Sequence, residues 1–269
     1  MLIVNADDLG MTPGANQAIF DGCDAGAITH TSIMANADYV DEAITQLKER
    51  PVIGLGIHLN ITYGKPLLVN PLYCNADGVF NLSYKTLLLR KDTLFLEAIE
   101  KEWEAQIHSI IESIDKKLTH IDSHRHVHLI PHLYPIVMKL AKQYTIPRVR
   151  LIKENIFHSL YVTRRFNFIA NAGIVKYLLL RFFTFINQKH AALYTDMKFY
   201  SILYTGVIGK NVLASLQACD NTYEVMVHPS YPALDKEVTF YDEAEKTYRI
   251  SPDRYQELQQ VLSLKVTDD

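Results

Sequence analysis

The sequence predicts an α/β fold with a mostly parallel β-sheet. Short runs of β-branched and aliphatic residues alternate with longer amphipathic segments of helical period along most of the chain. This alternation is typical of parallel sheets, whose strands are joined by crossover helices, and both a β/α barrel and an open doubly wound sheet satisfy it. No glycine-rich phosphate loop follows a predicted strand, so nucleotide binding is not favoured.

Five predicted elements begin the chain. The first strand, Leu2–Ala6, is followed by a turn and a helix at Pro13–Ala25, which Gly26 would end. Asp38 is an N-cap candidate for the next helix. The three remaining elements are a strand at Ser32–Asn36, a helix at Asp38–Arg50 and a strand at Val52–Leu59.

Residues 60–90 interrupt this alternation of strands and helices with several glycines and prolines, so we expect a long loop or insertion there.

An apolar stretch at 166–188 is interrupted by Lys176 and Arg181, which leaves it short of the roughly 20 apolar residues that a bilayer span needs. The elements predicted after the loop are a helix at 92–117, a strand at Thr119–Ser123, a helix at Pro131–Tyr144, a strand at Val149–Ile152, a variable helical region within 150–195, a strand at Phe199–Leu203, a helix at Asn211–Ala218, a strand at Glu224–His228 and a helix at Pro252–Leu264.

Composition excludes several classes of function. The 27 basic and 30 acidic residues give a formal net charge of −3, which predicts no general attraction to nucleic acid or to a membrane. The three cysteines form no C-x-x-C pair, which fits a reducing compartment and argues against a thiolate metal site. Met1–Asn5 lacks the pattern of a signal peptide, so we expect a cytoplasmic protein. With no linker or repeat, residues 1–269 are predicted to form a single domain.

The densest chemical signal is the segment His-Ile-Asp-Ser-His-Arg-His-Val-His at residues 120–128, which holds four of the chain's eleven histidines. In an extended strand, its histidines and Asp122 would share one face. If the chain coils after Ser123, His124 and His128 become an i, i+4 pair instead. Either arrangement brings imidazole nitrogens together, which favours a metal ion or proton transfer over simple packing.

Further polar residues follow other predicted strands: Asp7 and Asp8 after the first, His58 at the end of the third, and His228 after Glu224–Val227. Each alone has a structural explanation, as a turn, a helix cap or a hydrogen-bonded histidine. Active sites of parallel α/β folds are built at the carboxyl ends of the strands, where these residues would meet. Their recurrence at these ends therefore favours one functional site.

The residue types indicate metal-assisted hydrolysis of an amide or ester. Asp8, His58 and His124 can hold a divalent ion through one carboxylate and two imidazoles, which leaves positions open for water and substrate. The adjacent Asp7 can then act as the general base on the water. His228 can donate a proton to the leaving group, because imidazole titrates near neutral pH.

At these residues the sequence resembles the YdjC-like carbohydrate deacetylases, a family that includes chitooligosaccharide deacetylases. The resemblance lies in Asn-Ala-Asp-Asp-Leu-Gly at 5–10, Gly-Ile-His-Leu at 56–59, Gly-Lys-Pro-Leu at 64–67, the histidine segment at 120–128 with Pro131, and Val-His-Pro at 227–229. It implies a distorted, TIM-like β/α barrel related to polysaccharide deacetylases. It also implies Asp8, His58 and His124 as metal ligands, with His128 as a rival of His124, Asp7 as the base and His228 as the acid.

The same resemblance implies an acetylated mono- or oligosaccharide as substrate and Mg²⁺ as the ion. Two nitrogen ligands favour Zn²⁺ or another transition metal instead. No nucleic-acid or membrane partner is expected, and a homo-oligomer is an open alternative. Tyr63, Tyr73 and Phe80 of the 60–90 loop could stack on sugar rings or could serve packing alone. The alternatives for function are a hydrolase of another amide or a phosphoester, and a catalytically silent sugar- or metal-binding module.

Overall fold

The computed structural model of the protein describes residues 1–50, 54–163, 173–190, 197–203, 208 and 210–263. Within them, six strands form one sheet in the order β4-β3-β2-β1-β6-β5, and every pairing is parallel. The strands are β1 (Leu2–Leu9), β2 (His30–Ile33), β3 (Gly54–Leu59), β4 (His120–Ser123), β5 (Lys198–Tyr200) and β6 (Tyr223–Val227). The predicted parallel α/β fold is confirmed.

The sheet is a half-barrel whose two edges are joined by an extended segment, residues 148–153. On one side, the backbone N–H of Ile121 donates to the carbonyl of Arg148, and the N–H of Arg150 donates to the carbonyl of Ile121, at 2.8 and 2.9 Å. On the other side, the N–H of Phe199 in β5 reaches the carbonyl of Lys153 at 3.5 Å. The predicted strand at Val149–Ile152 is thus an extended segment that connects the two sheet edges and forms a single parallel β-bridge, between Ile121 and Val149.

The described helices cover the outside of this sheet. They are α1 (Pro13–Asp24), α2 (Val40–Lys48), α3 (Tyr84–Leu89), α4 (Thr93–Ser113), α5 (Tyr134–Gln143), α6 (Ile156–Thr163), α7 (Gly173–Asn187), α8 (Lys210–Gln217), α9 (Glu243–Arg249) and α10 (Pro252–Leu262). Local chemistry sets several starts: Thr12 accepts a hydrogen bond from the N–H of Ala15, and Asp92 accepts one from the N–H of Phe95.

Three helices differ from the sequence prediction. Helix α2 begins at Val40 with no side-chain cap, because Asp38 instead accepts a hydrogen bond from the hydroxyl of Tyr241 at 3.1 Å. Helix α3 lies inside the predicted 60–90 loop. Helix α9, capped by Asp242, had no predicted counterpart.

The variable helical region predicted within 150–195 contains α6 and α7. Parts of that prediction, at 164–172 and 191–195, lie outside the described residues, as do the predicted strand residues 52–53 and residue 264 of the last predicted helix. Among the helices that the structure describes, none combines the length and the apolar character required to cross a bilayer.

The loop that begins at Asn60 is attached to α4 by buried hydrogen bonds. The amide of Gln106 accepts from the N–H of Asn60 at 2.9 Å and donates to its carbonyl at 2.6 Å, while Glu102 accepts from the N–H groups of Leu67 and Leu68. Both α4 side chains are completely buried. The loop is therefore an ordered part of the wall beside β3.

Two loop aromatics, Tyr73 and Phe80, are buried, and their ring centroids lie 5.6 Å apart. These two residues serve packing.

Inside the barrel, β3 has no room for a side chain at Gly56. A Cβ there would lie 2.3 Å from Nε2 of His120 on β4. The imidazole of His120 fills the space that a side chain at Gly56 would need.

Replacing Gln106 with alanine should lower the free energy of unfolding by about 1–3 kcal/mol, because both backbone groups of Asn60 lose a buried partner. Urea titration followed by circular dichroism measures this change. Gln46→Ala is the matched control, since Gln46 makes an exposed hydrogen bond within α2, and its effect should stay within about 0.5 kcal/mol. Equal effects of the two substitutions would contradict the proposed attachment.

Candidate active site

The carboxyl end of β1 places two adjacent carboxylates in the barrel interior. Residues in a regular strand alternate between faces, but Asp8 has a left-handed backbone with φ 67°, and the pairing of β1 with β2 shifts register between Ala6 and Leu9. This local turn allows Asp7 and Asp8 to line the same cavity. Both are almost completely buried, with 1% exposure.

Asp8, His58 and His124 come together at this end of the sheet. Oδ1 of Asp8 lies 3.0 Å from Nε2 of His58 and 3.1 Å from Nδ1 of His124. All three side chains are buried. Three elements that are distant in the sequence thus direct one carboxylate oxygen and two imidazole nitrogens to a common point.

His58 is held between two carboxylates. Its Nδ1 lies 2.7 Å from Oδ1 of Asp122 on β4, while its Nε2 faces Asp8. Burial opposes the charged imidazole, but Asp122 and Asp8 outweigh it and raise the pKa of His58 to about 10. Because Nδ1–H of His58 donates a hydrogen bond to Asp122, the Nε2 position needs either a second proton or a metal cation to balance the two carboxylates.

The histidine segment bends immediately after β4. Ser123 ends the strand, and a tight 3₁₀ turn over His124–Leu129 follows, in which Arg125 and His126 have left-handed φ of 55° and 57°. The two candidate ligands therefore diverge, and only His124 reaches Asp8.

His128 lies inside the protein with both ring nitrogens in use. Its Nδ1 is 2.6 Å from the hydroxyl of Ser123, and its Nε2 is 3.0 Å from the carbonyl of Arg150. Burial lowers the pKa of His128 to about 3, so the ring is neutral and structural. The regular i, i+4 pair does not form.

Asp7 is held by the guanidinium of Arg150, which forms two hydrogen bonds to it at 2.6 and 2.7 Å. The same guanidinium lies 2.7 Å from Asp122 and 2.6 Å from Glu224 of β6. Burial would raise the pKa of Asp7, but the charge of Arg150 outweighs it and lowers that pKa to about 2. Asp7 is therefore ionised and fixed in orientation.

His228 follows β6 and faces the opposite oxygen of Asp8, with its Nε2 3.8 Å from Oδ2. Its Nδ1 is buried and lacks a hydrogen-bond partner among the described residues. Burial lowers the pKa of His228 to about 3, so the ring is neutral at pH 7. A neutral imidazole at this position can accept a proton and later return it.

Helix α9 supplies two charged groups that the sequence analysis missed. Arg249 contacts Oδ2 of Asp8, and its Nε lies 2.8 Å from Glu245. Glu245 in turn lies 3.6 Å from Nε2 of His124. Burial opposes ionisation of Glu245, but Arg249 outweighs it and keeps the pKa of this carboxyl far below its usual value.

All five predicted site residues line one cavity of about 190 Å³. The other side chains around it include Arg125, His126, Lys176, Glu245 and Arg249. Asp122 and Arg150, also missed as site residues, lie behind this lining. The sequence does contain a signal for Arg150, since charged residues alternate in Arg148-Val-Arg150 at a predicted buried strand.

The buried Asp8–His58–His124 cluster could bind a divalent metal ion, because its ligand atoms lie within 4.8 Å of one another. One carboxylate and two imidazoles suit such an ion, and the position between His58 and Asp8 already demands a positive charge. A second group, Asp7 with His58 and Asp122, satisfies the same distance. Both of its carboxylates are paired with the buried guanidinium of Arg150. In the first cluster Arg249 contacts Oδ2 of Asp8, while Oδ1 faces the two imidazoles, which makes the first cluster the better fit.

A half-barrel with carboxylates and imidazoles at its strand ends is an arrangement that suits metal-assisted hydrolysis. The chain matches the profile of the YdjC-like protein family over residues 1–269, so it belongs to this family. That membership supports a general carbohydrate deacetylase-like or hydrolase function.

Among solved structures, a proposed cellobiose-phosphate cleavage protein from Enterococcus faecalis V583 is similar, with a TM-score of 0.64 and 24% identity over 98% of this chain and 91% of that chain. This similarity supports the fold. A CE4 family pseudoenzyme from Bacillus anthracis aligns at a TM-score of 0.37 and 8% identity, over 97% of this chain and 60% of that chain. A similarity this weak supports no conclusion about function.

Substitution of Asp122 by asparagine should weaken binding of a divalent ion about 10- to 100-fold, because His58 loses the carboxylate that orients its ring and fixes its tautomer. Calorimetric titration with Zn²⁺, Co²⁺ and Mg²⁺ measures the affinity. Asp77→Asn, in an exposed loop, is the control and should bind like the unmodified protein. Unchanged affinity in Asp122→Asn would show that His58 is not a ligand.

Metal affinity should rise between about pH 6 and pH 9, because the ion must displace a proton from His58, whose pKa is raised to about 10. Titrations at several pH values, in buffers of different ionisation enthalpy, measure affinity and proton release together. Binding that is independent of pH and releases no proton would contradict this ligand set.

Proposed function

We propose that the chain is a single-domain, metal-dependent carbohydrate deacetylase that releases acetate from N-acetylated sugars such as chitooligosaccharides. The observation that carries this proposal is the convergence of the Asp8–His58–His124 cluster with Asp7 and His228 on one cavity. Family membership supports the carbohydrate class of the substrate. The proposal joins a ligand set for a divalent ion to two groups that can move protons.

In this proposal Asp8, His58 and His124 hold the ion, which when bound would polarise the acetyl carbonyl and acidify water. Two imidazole ligands favour Zn²⁺ or another transition metal over the Mg²⁺ that the family resemblance implies. Asp122 orients the ring of His58 so that Nε2 faces the position beside Asp8 where the ion would be held. Arg249 balances the second oxygen of Asp8.

Asp7 and His228 divide the proton transfers. Asp7 is ionised, so it can accept a proton from the water that attacks the acetyl carbon. His228 is neutral at rest, so it becomes a donor only after it has taken up the proton that Asp7 removed from the water, which also returns Asp7 to its ionised state. That proton then goes to the nitrogen of the departing amine as the C–N bond breaks, and the products are acetate and a free amino sugar.

The cavity limits how much of the substrate is enclosed. Its volume of about 190 Å³ is smaller than the roughly 300–1,000 Å³ of pockets that enclose whole ligands. It can take the acetamido group and part of one sugar ring, so further sugar units would extend outside. Tyr63 lies beside this site, with its ring 5.9 Å from His124 and 5.3 Å from Tyr241.

A second candidate function is hydrolysis of a phosphoester. Three cationic side chains, Arg125, Lys176 and Arg249, line the cavity and could attract a phosphate. The solved neighbour from Enterococcus faecalis is described in terms of a phosphorylated disaccharide, which fits the same charge pattern.

The decisive experiment measures acetate released from N-acetylated chitooligosaccharides by the protein loaded with Zn²⁺, Co²⁺ or Mg²⁺, and after chelation. A generic phosphoester is assayed in parallel. Acetate release that depends on metal, without phosphatase activity, supports deacetylation. Phosphate release alone would replace it with the second candidate, and sugar binding without turnover would indicate a silent binding module.

Asp7→Asn should retain the metal and lower kcat by about 100-fold or more, because the amide cannot accept the water proton. His124→Ala should lose both metal and activity. Asp77→Asn and His108→Ala are the controls, since both residues are exposed and distant from the cavity. Metal content by mass spectrometry and initial rates are measured on each variant, and full activity in Asp7→Asn or His124→Ala would refute the assigned roles.

A further inference from the structure

Helix α7 presents an apolar face to solvent. Val175, Leu178, Phe182 and Phe185 are 65%, 59%, 58% and 73% exposed, and their spacing of three and four residues places them on one side of the helix. The opposite side packs into the protein through Tyr177, Leu180, Phe183, Thr184 and Asn187. The helix is therefore apolar on both sides, although only one side has a partner within the described structure.

Helix α6, a neighbour of α7, carries two more exposed aromatic side chains. Phe157 and Tyr161, one turn apart, are 80% and 77% exposed. Phe157 lines a surface cavity together with Tyr177 and Arg181 of α7, so the two helices are neighbours there. We call the set Phe157, Tyr161, Val175, Leu178, Phe182 and Phe185 the α6–α7 apolar face. Clusters of large exposed apolar side chains mark interaction sites in soluble proteins.

The sequence of this part of the chain is basic. Residues 155–195 contain no aspartate or glutamate, and their five basic residues are Arg164, Arg165, Lys176, Arg181 and Lys189, of which the first two lie outside the described residues. Lys153 and Lys198 line the same surface cavity as Phe157, and the acidic residue in that lining, Glu154, is buried with 1% exposure. The net charge of −3, on which the expectation of no membrane partner rests, averages over this basic segment and the acidic remainder.

We propose that the α6–α7 apolar face docks on an anionic phospholipid bilayer. Aromatic and aliphatic side chains would enter the headgroup boundary, and exposed basic side chains such as Lys189, which follows α7, would contact lipid phosphates, as in interfacial amphipathic helices. A symmetric dimer through the same face is disfavoured, because a two-fold axis would bring two basic segments together. Charge complementarity thus selects an anionic surface as the occupant.

The docking surface and the candidate active site lie on different sides of α7. Lys176, which lines the cavity, falls on the side of the helix that packs into the protein through Tyr177, Leu180 and Phe183. A bilayer on the apolar face would therefore contact the side of α7 opposite Lys176. The docking proposal itself does not depend on which reaction the cavity performs.

The test is flotation of the full chain with vesicles of phosphatidylcholine alone or mixed with phosphatidylglycerol. We expect the protein to bind the anionic vesicles and to bind the neutral ones more weakly. Binding to the anionic vesicles should weaken as the salt concentration is raised in about twofold steps from 0.05 to 0.5 M. The double variant Phe182→Ser/Phe185→Ser should lower the partition coefficient at least about tenfold, because two exposed aromatic rings no longer enter the lipid.

The matched control is Leu89→Ser/Leu94→Ser, which removes two equally exposed apolar side chains, 70% and 69%, from α3 and α4. It should bind vesicles like the unmodified protein. Thermal melting of all variants verifies folding, and size-exclusion chromatography reports their oligomeric state. Absence of vesicle binding by the unmodified protein, or equal loss in both double variants, would refute the proposal. A dimer dissolved only by Phe182→Ser/Phe185→Ser, without lipid binding, would make the face a subunit contact instead.

Discussion

The buried guanidinium of Arg150 is the interaction on which the interior of the half-barrel depends. It contacts Asp7 of β1, Asp122 of β4 and Glu224 of β6, and none of these groups has more than 4% exposure. Isolated carboxylates at such depth would be strongly destabilising, and removing one partner of a buried ion pair leaves an uncompensated charge. Arg150 makes it feasible for three strands to place carboxylates around one centre.

Arg150 also determines the orientation of side chains at the carboxyl end of the strands. Asp122, held by Arg150, accepts a hydrogen bond from Nδ1–H of His58, and this sets which nitrogen of His58 faces Asp8. The position of Asp8 is fixed independently by Arg249, which approaches from α9. Two arginines from different parts of the fold thus orient two carboxylates: Arg150 holds Asp122, which orients His58, and Arg249 holds Asp8, the candidate metal ligand.

The sequence was sufficient to predict the parallel sheet and the positions of Asp8, His58 and His228, because strand periodicity and strand ends are local features. The divergence of His124 from His128 could not be predicted, since left-handed backbone at Arg125 and His126 is selected by tertiary packing. Arg150 was also missed as a site residue, because its partners lie as far as 143 positions away in the chain.

The absence of a side chain at Gly56 matters for the acid–base chemistry of the site. His120 occupies the space beside Gly56 and lies 3.8 Å from Asp122, the carboxylate that accepts from His58. Even the single methyl group of an alanine would press on His120 and, through it, on Asp122. A residue with no functional group thus protects the hydrogen bond that orients His58, because any side chain at position 56 would displace the imidazole that lies next to Asp122.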